Sequence, residues 1–176
     1  VDEKPTGSLQ LGAGFSSAEK IALSFSIKQD NVFGSGNYLG VDVNTSKYRR
    51  TLVFSTTDPY FTQSGISRTF DLYYRTDKPY QDQGGNYELV TTGTSLRFGV
   101  PFSEVDTVFF GGGLEQTKIK PGTNIPAYYL SYADAYGYSS TGVPLTIGWS
   151  RDNRDSALAP NDGRYQRLNT DWSVAG

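Results

Sequence analysis

Covalent catalysis needs an activated nucleophile, and this sequence is poor in the groups that activate one. Its 176 residues include no His and no Cys. That removes Ser-His-Asp triads, Cys-His dyads, thiolate nucleophiles, disulfides and His-ligated zinc. Carboxylate pairs are the main acid–base option left. Asp152 and Asp155 lie at a strand end, on opposite faces by strand parity. Glu104 and Asp106 share a face at a polar turn, where solvation is expected for both. Asp152, Asn153, Asp155, Asn161 and Asp162 put oxygen ligands close together, but their spacing does not match an EF-hand loop. These residues argue for neither an enzyme nor a bound metal or cofactor. A net charge of −2 gives no basic footprint for nucleic acid.

The elements that position these residues read as strands. The chain carries 20 Gly and 13 Tyr, types favoured by turns and amphipathic strands over helix interiors. Period-2 alternation marks about nine strands. The first sets Leu9, Leu11, Ala13 and Phe15 against Ser8, Gln10, Gly12 and Gly14, and the second sets Ile21, Leu23, Phe25 and Ile27 against Ala22, Ser24, Ser26 and Lys28. Others fall near 39–44, 52–55, 70–75, 92–100, 105–116, 143–152 and 167–174. The longest gap, 117–142, holds a stretch from Ala127 to Tyr136 that fits a short helix or an interfacial Tyr-rich segment. No signal peptide is visible, and the abrupt start near the first strand suits a domain excised from a longer precursor.

This alternation fits two architectures. A soluble β-sandwich buries its apolar face against a second sheet. A transmembrane barrel turns that face to lipid, on strands of about 9–11 residues, and lines a lumen with the polar face. Here the polar face is rich in Gly, Ser and Thr, with charges of both signs: Asp42, Asp71, Arg75, Arg97, Glu115, Asp152, Arg167 and Asp171. Such charges can pair across a narrow lumen. Phe33, Tyr38, Tyr60, Phe61, Tyr73, Tyr74, Tyr80, Tyr87, Trp149 and Trp172 fall near strand ends, as interfacial girdles would, although strand propensity alone also places aromatics there.

Three segments sharpen the choice: QDNVFGSGNYLG (29–40), STTDPYFTQSGIS (55–67) and IGWSRDNRDSALAPNDGRYQRL (147–168). In the first, Asp30 and Asn31 lead into Gly34 and Gly36, which allow a tight loop with positive φ. In the second, Asp58 and Pro59 start a turn that sets Tyr60 and Phe61 at headgroup level. In the third, which opens on Trp149, Asp152 and Asp155 can pair with Arg151 and Arg154, while Pro160 and Asn161-Asp162-Gly163 form the turn. In this order and spacing, and with the opening EKPTGSLQLGAGFSS, the segments resemble the membrane domain of the Omp85 family over essentially the whole chain.

That resemblance implies an all-β fold: an antiparallel transmembrane β-barrel in the bacterial outer membrane. The chain would supply about the first eight or nine strands of a sixteen-stranded Omp85-type barrel, as one partial domain over 1–176. The family's POTRA domains and its C-terminal half, with the Arg-Gly-Phe-type motif of a long loop, lie outside that match. The implied function is folding and insertion of outer-membrane proteins without covalent chemistry. The implied partners are unfolded outer-membrane proteins, through their C-terminal β-strand, outer-membrane lipids, and accessory lipoproteins held mainly by the POTRA domains. In the family the first strand opens at a lateral gate and pairs with substrate. Here it maps to Gly7, Ser8, Leu9, Gln10, Leu11, Gly12, Ala13, Gly14 and Phe15. Its glycines fit either a weakly zipped edge or a tight barrel corner. A different Omp85-type translocation barrel, or a passive porin-like barrel, shares the strand pattern. The motif turns read equally as well-made turns without a direct role.

Overall fold

The computed structural model describes residues 6–17, 19–78, 87–122, 127–156 and 160–174. Nine strands follow one another along the chain. They are β1 (Gly7–Ser16), β2 (Lys20–Gln29), β3 (Tyr38–Thr45), β4 (Arg49–Asp58), β5 (Ser67–Asp77), β6 (Tyr87–Pro101), β7 (Asp106–Pro121), β8 (Ser139–Asp152) and β9 (Tyr165–Val174). The stretch between β7 and β8 forms a helix, α1 (Ala127–Tyr136). Every strand pairs antiparallel with its neighbours in sequence, giving one sheet in the order β1 to β9 with β1 and β9 as its edges.

Register partners share a face, so the ladders fix both faces of the sheet. On one face run Leu9 and Ile27, then Phe54, Leu72, Thr94 and Leu114, with Leu145 and Trp172 near the far edge. The other face carries Ser26, Asp42, Val53, Tyr73, Gly93 and Glu115 in one continuous row. A sandwich would cover the apolar face. Instead Leu11 is 75% exposed, Leu114 58% and Leu168 65%, and Val90 and Ala133 are the buried hydrophobics among the described residues. A single sheet whose apolar side is largely uncovered contradicts the soluble sandwich. No helix among the described residues is long and apolar enough to cross a membrane, so any crossing is by strands.

Polar side chains knit the other face. The Asp71 carboxylate accepts from Ser55 Oγ at 2.6 Å, Ser95 Oγ at 3.1 Å and Arg97 Nη2 at 3.3 Å, joining β4, β5 and β6. Tyr73 reaches over Gly93 to donate to Glu115 Oε2 at 2.7 Å, joining β5 to β7. A Cβ at Gly93 would overlap the Tyr73 ring, so the glycine is what lets the ring lie flat across β6. The expected pairing of polar-face charges holds for Asp71 with Arg97. Glu115 and Asp171 are instead satisfied by the hydroxyls of Tyr73 and Thr146.

The expected girdle needs correction. Tyr38 and Tyr73 point to the polar face, Tyr38 lying beside Gly40 as Tyr73 lies over Gly93. Strand parity decided this, and proximity to a strand end did not reveal it. Tyr74, Trp149 and Trp172 do stand on the apolar face. Tyr80 lies outside the described residues.

The Tyr73 arrangement makes a prediction. Tyr73→Phe removes one part-buried hydrogen bond and should cost about 1 kcal/mol. Gly93→Val should cost more, because it both displaces the ring and breaks that bond. Urea midpoints in detergent micelles would show the order; equal midpoints for both variants and the parent would contradict the bridge.

Candidate functional site: the first strand and the turns beside it

An up-and-down meander sends alternate connections to opposite ends. The connections 30–37, 59–66, 102–105 and 153–164 therefore share one end of the sheet with Thr6 and the start of β1. All three motif segments place their turns there.

The first turn is built on positive φ. Asn31 (56°), Phe33 (50°), Gly34 (77°) and Gly36 (77°) all sit in the left-handed region. Asn31 Oδ1 accepts from the Gly36 N–H at 2.7 Å, and Val32 N–H donates to the Asn37 carbonyl at 2.9 Å. The same turn grips the approach to β1: Asp30 N–H donates to the Thr6 carbonyl at 2.6 Å, and Gln29 Nε2 donates to Thr6 Oγ1 at 2.8 Å. Phe33 points fully into the surroundings.

In the second turn Asp58 Oδ1 accepts from the Tyr60 N–H at 3.1 Å, which starts the bend through Pro59. Tyr60 is exposed, whereas Phe61 packs near Phe98, with ring centroids 6.1 Å apart. Arg68 lies 4.2 Å from the Phe61 ring centroid and 3.9 Å from Asp58.

The third turn corrects the expected ion pairs. Asp152 does pair with Arg154, through Nε at 2.9 Å and Nη2 at 2.8 Å. Arg151 projects from the opposite face of β8 and pairs with Asp106 at 3.7 Å. Asp155 pairs with neither arginine; its Oδ1 accepts the backbone N–H groups of Asn161 at 3.0 Å and Asp162 at 3.2 Å. Those two donors, Asp162 first, hold the Asp155 carboxyl below the usual carboxylate range. Gly163 takes φ 90°, and a Cβ there would overlap the Asn153 backbone. Pro160 precedes this bend, and 157–159 lie outside the described residues.

Asp106 is the residue that sequence reasoning misplaced. Expected in solvent, it is 8% exposed. It accepts from Trp149 Nε1 at 3.2 Å and Ser103 Oγ at 3.0 Å, besides its pair with Arg151. Asp152 N–H also donates to the Val105 carbonyl at 2.8 Å. The 102–105 and 153–164 turns are thus fastened together. The available signal was a carboxylate at an apolar-parity position, register-paired with Arg151.

β1 contrasts with this fastened end. All ten of its residues are exposed, and its ladder runs to β2 alone, from Gly7↔Gln29 to Ser16↔Lys20. Gly7 and Gly12 face side-chain ends, Gln29 Oε1 and Ser24 Oγ, while a Cβ at Gly14 would meet nothing within 4 Å. None of the three has positive φ. Among the described residues no group of three or more acidic side chains could hold a metal.

The comparisons with known proteins fit this geometry. The Omp85 superfamily domain matches residues 31–176. The chain belongs to the Omp85 superfamily. It is 31% identical over 186 aligned positions to the outer membrane protein assembly factor BamA of Neisseria meningitidis serogroup B, covering 100% of this chain and 23% of that protein. It is 31% identical to BamA of Buchnera aphidicola over 119 positions, 68% of this chain and 19% of that one. The crystal structure of BamA from Haemophilus ducreyi lacking POTRA domains 1–3 superposes with a TM-score of 0.74, over 99% of this chain and 35% of that chain, at 24% identity. The nine strands are therefore wall of an Omp85 barrel, and the apolar face is the face turned to outer-membrane lipid. The chain spans 23% of the N. meningitidis relative's length.

Within this Omp85 wall, the Asp155 clasp predicts an acid response. A depressed carboxylate contributes order above its unfolded value, about 3.9, and loses it as pH falls through the lower folded value. Protection of the Asn161 and Asp162 amides, measured against their intrinsic exchange rates, should be high at neutral pH and fall steeply only below about pH 4. Asp155→Asn should flatten that step; an unchanged acid step in the variant would contradict the clasp.

Proposed function

We propose that this chain forms the N-terminal part of the barrel of an outer-membrane protein assembly factor. On this reading β1 lends its free edge to the C-terminal strand of an incoming substrate. No covalent step is involved. The physical task is to satisfy backbone N–H and C=O groups that would otherwise enter lipid unpaired, and a strand edge does that by β-augmentation.

The observation that carries the reading is the glycine pattern of β1. Gly14 is required neither by positive φ nor by a close neighbour. A strand-interior glycine costs about 0.5–1 kcal/mol relative to alanine. Gly7, Gly12 and Gly14 together keep β1 a poorly zipped edge that exchanges partners at low cost. The Thr6 contacts of the 29–37 turn hold its base while the rest of the strand is free to open. On the same reading, unfolded outer-membrane proteins are the substrates, lipid beside the first strand is thinned, and accessory lipoproteins act through POTRA domains. The names of the relatives support the assembly role.

These 176 residues hold no cysteine, so a cysteine placed in β1 or β9 is the single thiol of this stretch. In the full-length protein, Ser8→Cys or Gln10→Cys should form disulfides with cysteines placed in the last strand of a stalled substrate. Yields should alternate with strand parity. Thr170→Cys in β9 should give little product. Equal yield from β9, or none from β1, would overturn the gate reading.

A further inference from the structure

The lipid-facing side of the wall carries charge at both ends, and the two ends differ. At the end bearing the motif turns the strand cations of this face have carboxylates: Arg68 beside Asp58, Arg151 beside Asp106. At the opposite end the ladders bring Arg50, Thr76, Val90 and Lys118 into one row on that face. The next row out holds Glu88 and Lys120, and Lys78 reaches the same carboxylate. Within these rows, among the described residues, four cations face one carboxylate. Glu88 is shared, with Lys78 Nζ at 3.1 Å and Lys120 Nζ at 3.2 Å, so the pair of ammoniums keeps a net positive charge. Arg50 and Lys118 have no carboxylate at ion-pair distance among the described residues, and both are exposed.

The rows below are apolar or neutral: Leu52, Tyr74, Thr92 and Gln116, then Phe54, Leu72, Thr94 and Leu114. The cations thus stand at the upper margin of a lipid-covered band, where headgroups lie. Two exposed cations with no carboxylate partner among the described residues are explained if lipid phosphates supply the anions.

We propose that Arg50, Lys78, Lys118 and Lys120 form a docking surface for the phosphate groups of an anionic lipid in the leaflet at this end, with its acyl chains lying along the apolar rows beneath. The proposal rests on the outer-membrane placement of the wall, and is independent of the gate. Glu88 serves to hold Lys78 and Lys120 together across β5, β6 and β7, so that neighbouring phosphates meet a fixed spacing of charge.

The test uses the full-length protein in nanodiscs of zwitterionic lipid doped with a diphosphorylated lipid A or with its dephosphorylated form. Each lysine or arginine beside an anionic surface strengthens attachment about fivefold. Binding of the phosphorylated lipid should weaken about 100-fold in Arg50→Gln/Lys118→Gln/Lys120→Gln, and about fivefold in Lys118→Gln alone. Lys28→Gln, on the polar face, should bind as the parent does. Heat-modifiable gel mobility verifies folding of each variant, and substrate cross-linking from β1 reports separately on the gate. Unchanged affinity in the folded triple variant would overturn the proposal. So would equal binding of the dephosphorylated lipid, or displacement by millimolar inorganic phosphate, which would mark a free-anion site.

Discussion

Everything in this structure answers to one constraint: a backbone amide cannot lie unpaired against hydrocarbon. A sheet meets that constraint everywhere except at its edges. The meander from β1 to β9 therefore pairs each strand with its neighbours in sequence. In a soluble protein such edges are hazards to be blunted. In a wall whose proposed work is to accept another chain, an edge is the working part.

The rest of the wall is built to keep that edge distinct. Side-chain bridges through Asp71 and from Tyr73 to Glu115 lock β4 through β7 on the polar face. At the end with the motif turns, Asp106, Trp149 and Ser103 tie the 102–105 turn to β8, and the 29–37 turn grips Thr6. β1 has only its ladder to β2 and three glycines. The bridged strands and the glycine-bearing first strand belong to one sheet and differ in where the polar side chains fall. The cations at the far end, proposed to meet lipid phosphates, add a third region.

Much of this was legible in the residues. Strict alternation located nine strands, and the Ala127–Tyr136 stretch is the helix α1. Gly34 and Gly36 announced their positive φ, because few other residues accept it, and Gly163 was legible as part of a turn. What stayed hidden depended on register. Tyr73 looked like a girdle residue by its place near a strand end, strand parity put it on the polar face, and only pairing showed Gly93 beneath its ring. Asp106 looked solvated until pairing placed it beside Arg151 and Trp149. Asp155 looked like an ion-pair partner, but turn backbone claimed it first. Short-range chemistry is written in neighbouring residues; cross-strand chemistry is written only once the strands are aligned. The choice between sandwich and barrel was legible in the three motif segments, and the largely uncovered apolar face agrees with it.

The central claim is a gradient of stability across one sheet, lowest at β1. Amide hydrogen exchange on the full-length protein in lipid nanodiscs tests it most directly. Amides of β1 should exchange far faster than those of β6 and β7, with the turn amides that grip Thr6 protected more than the middle of β1. Protection in β1 equal to that in β7 would contradict the account.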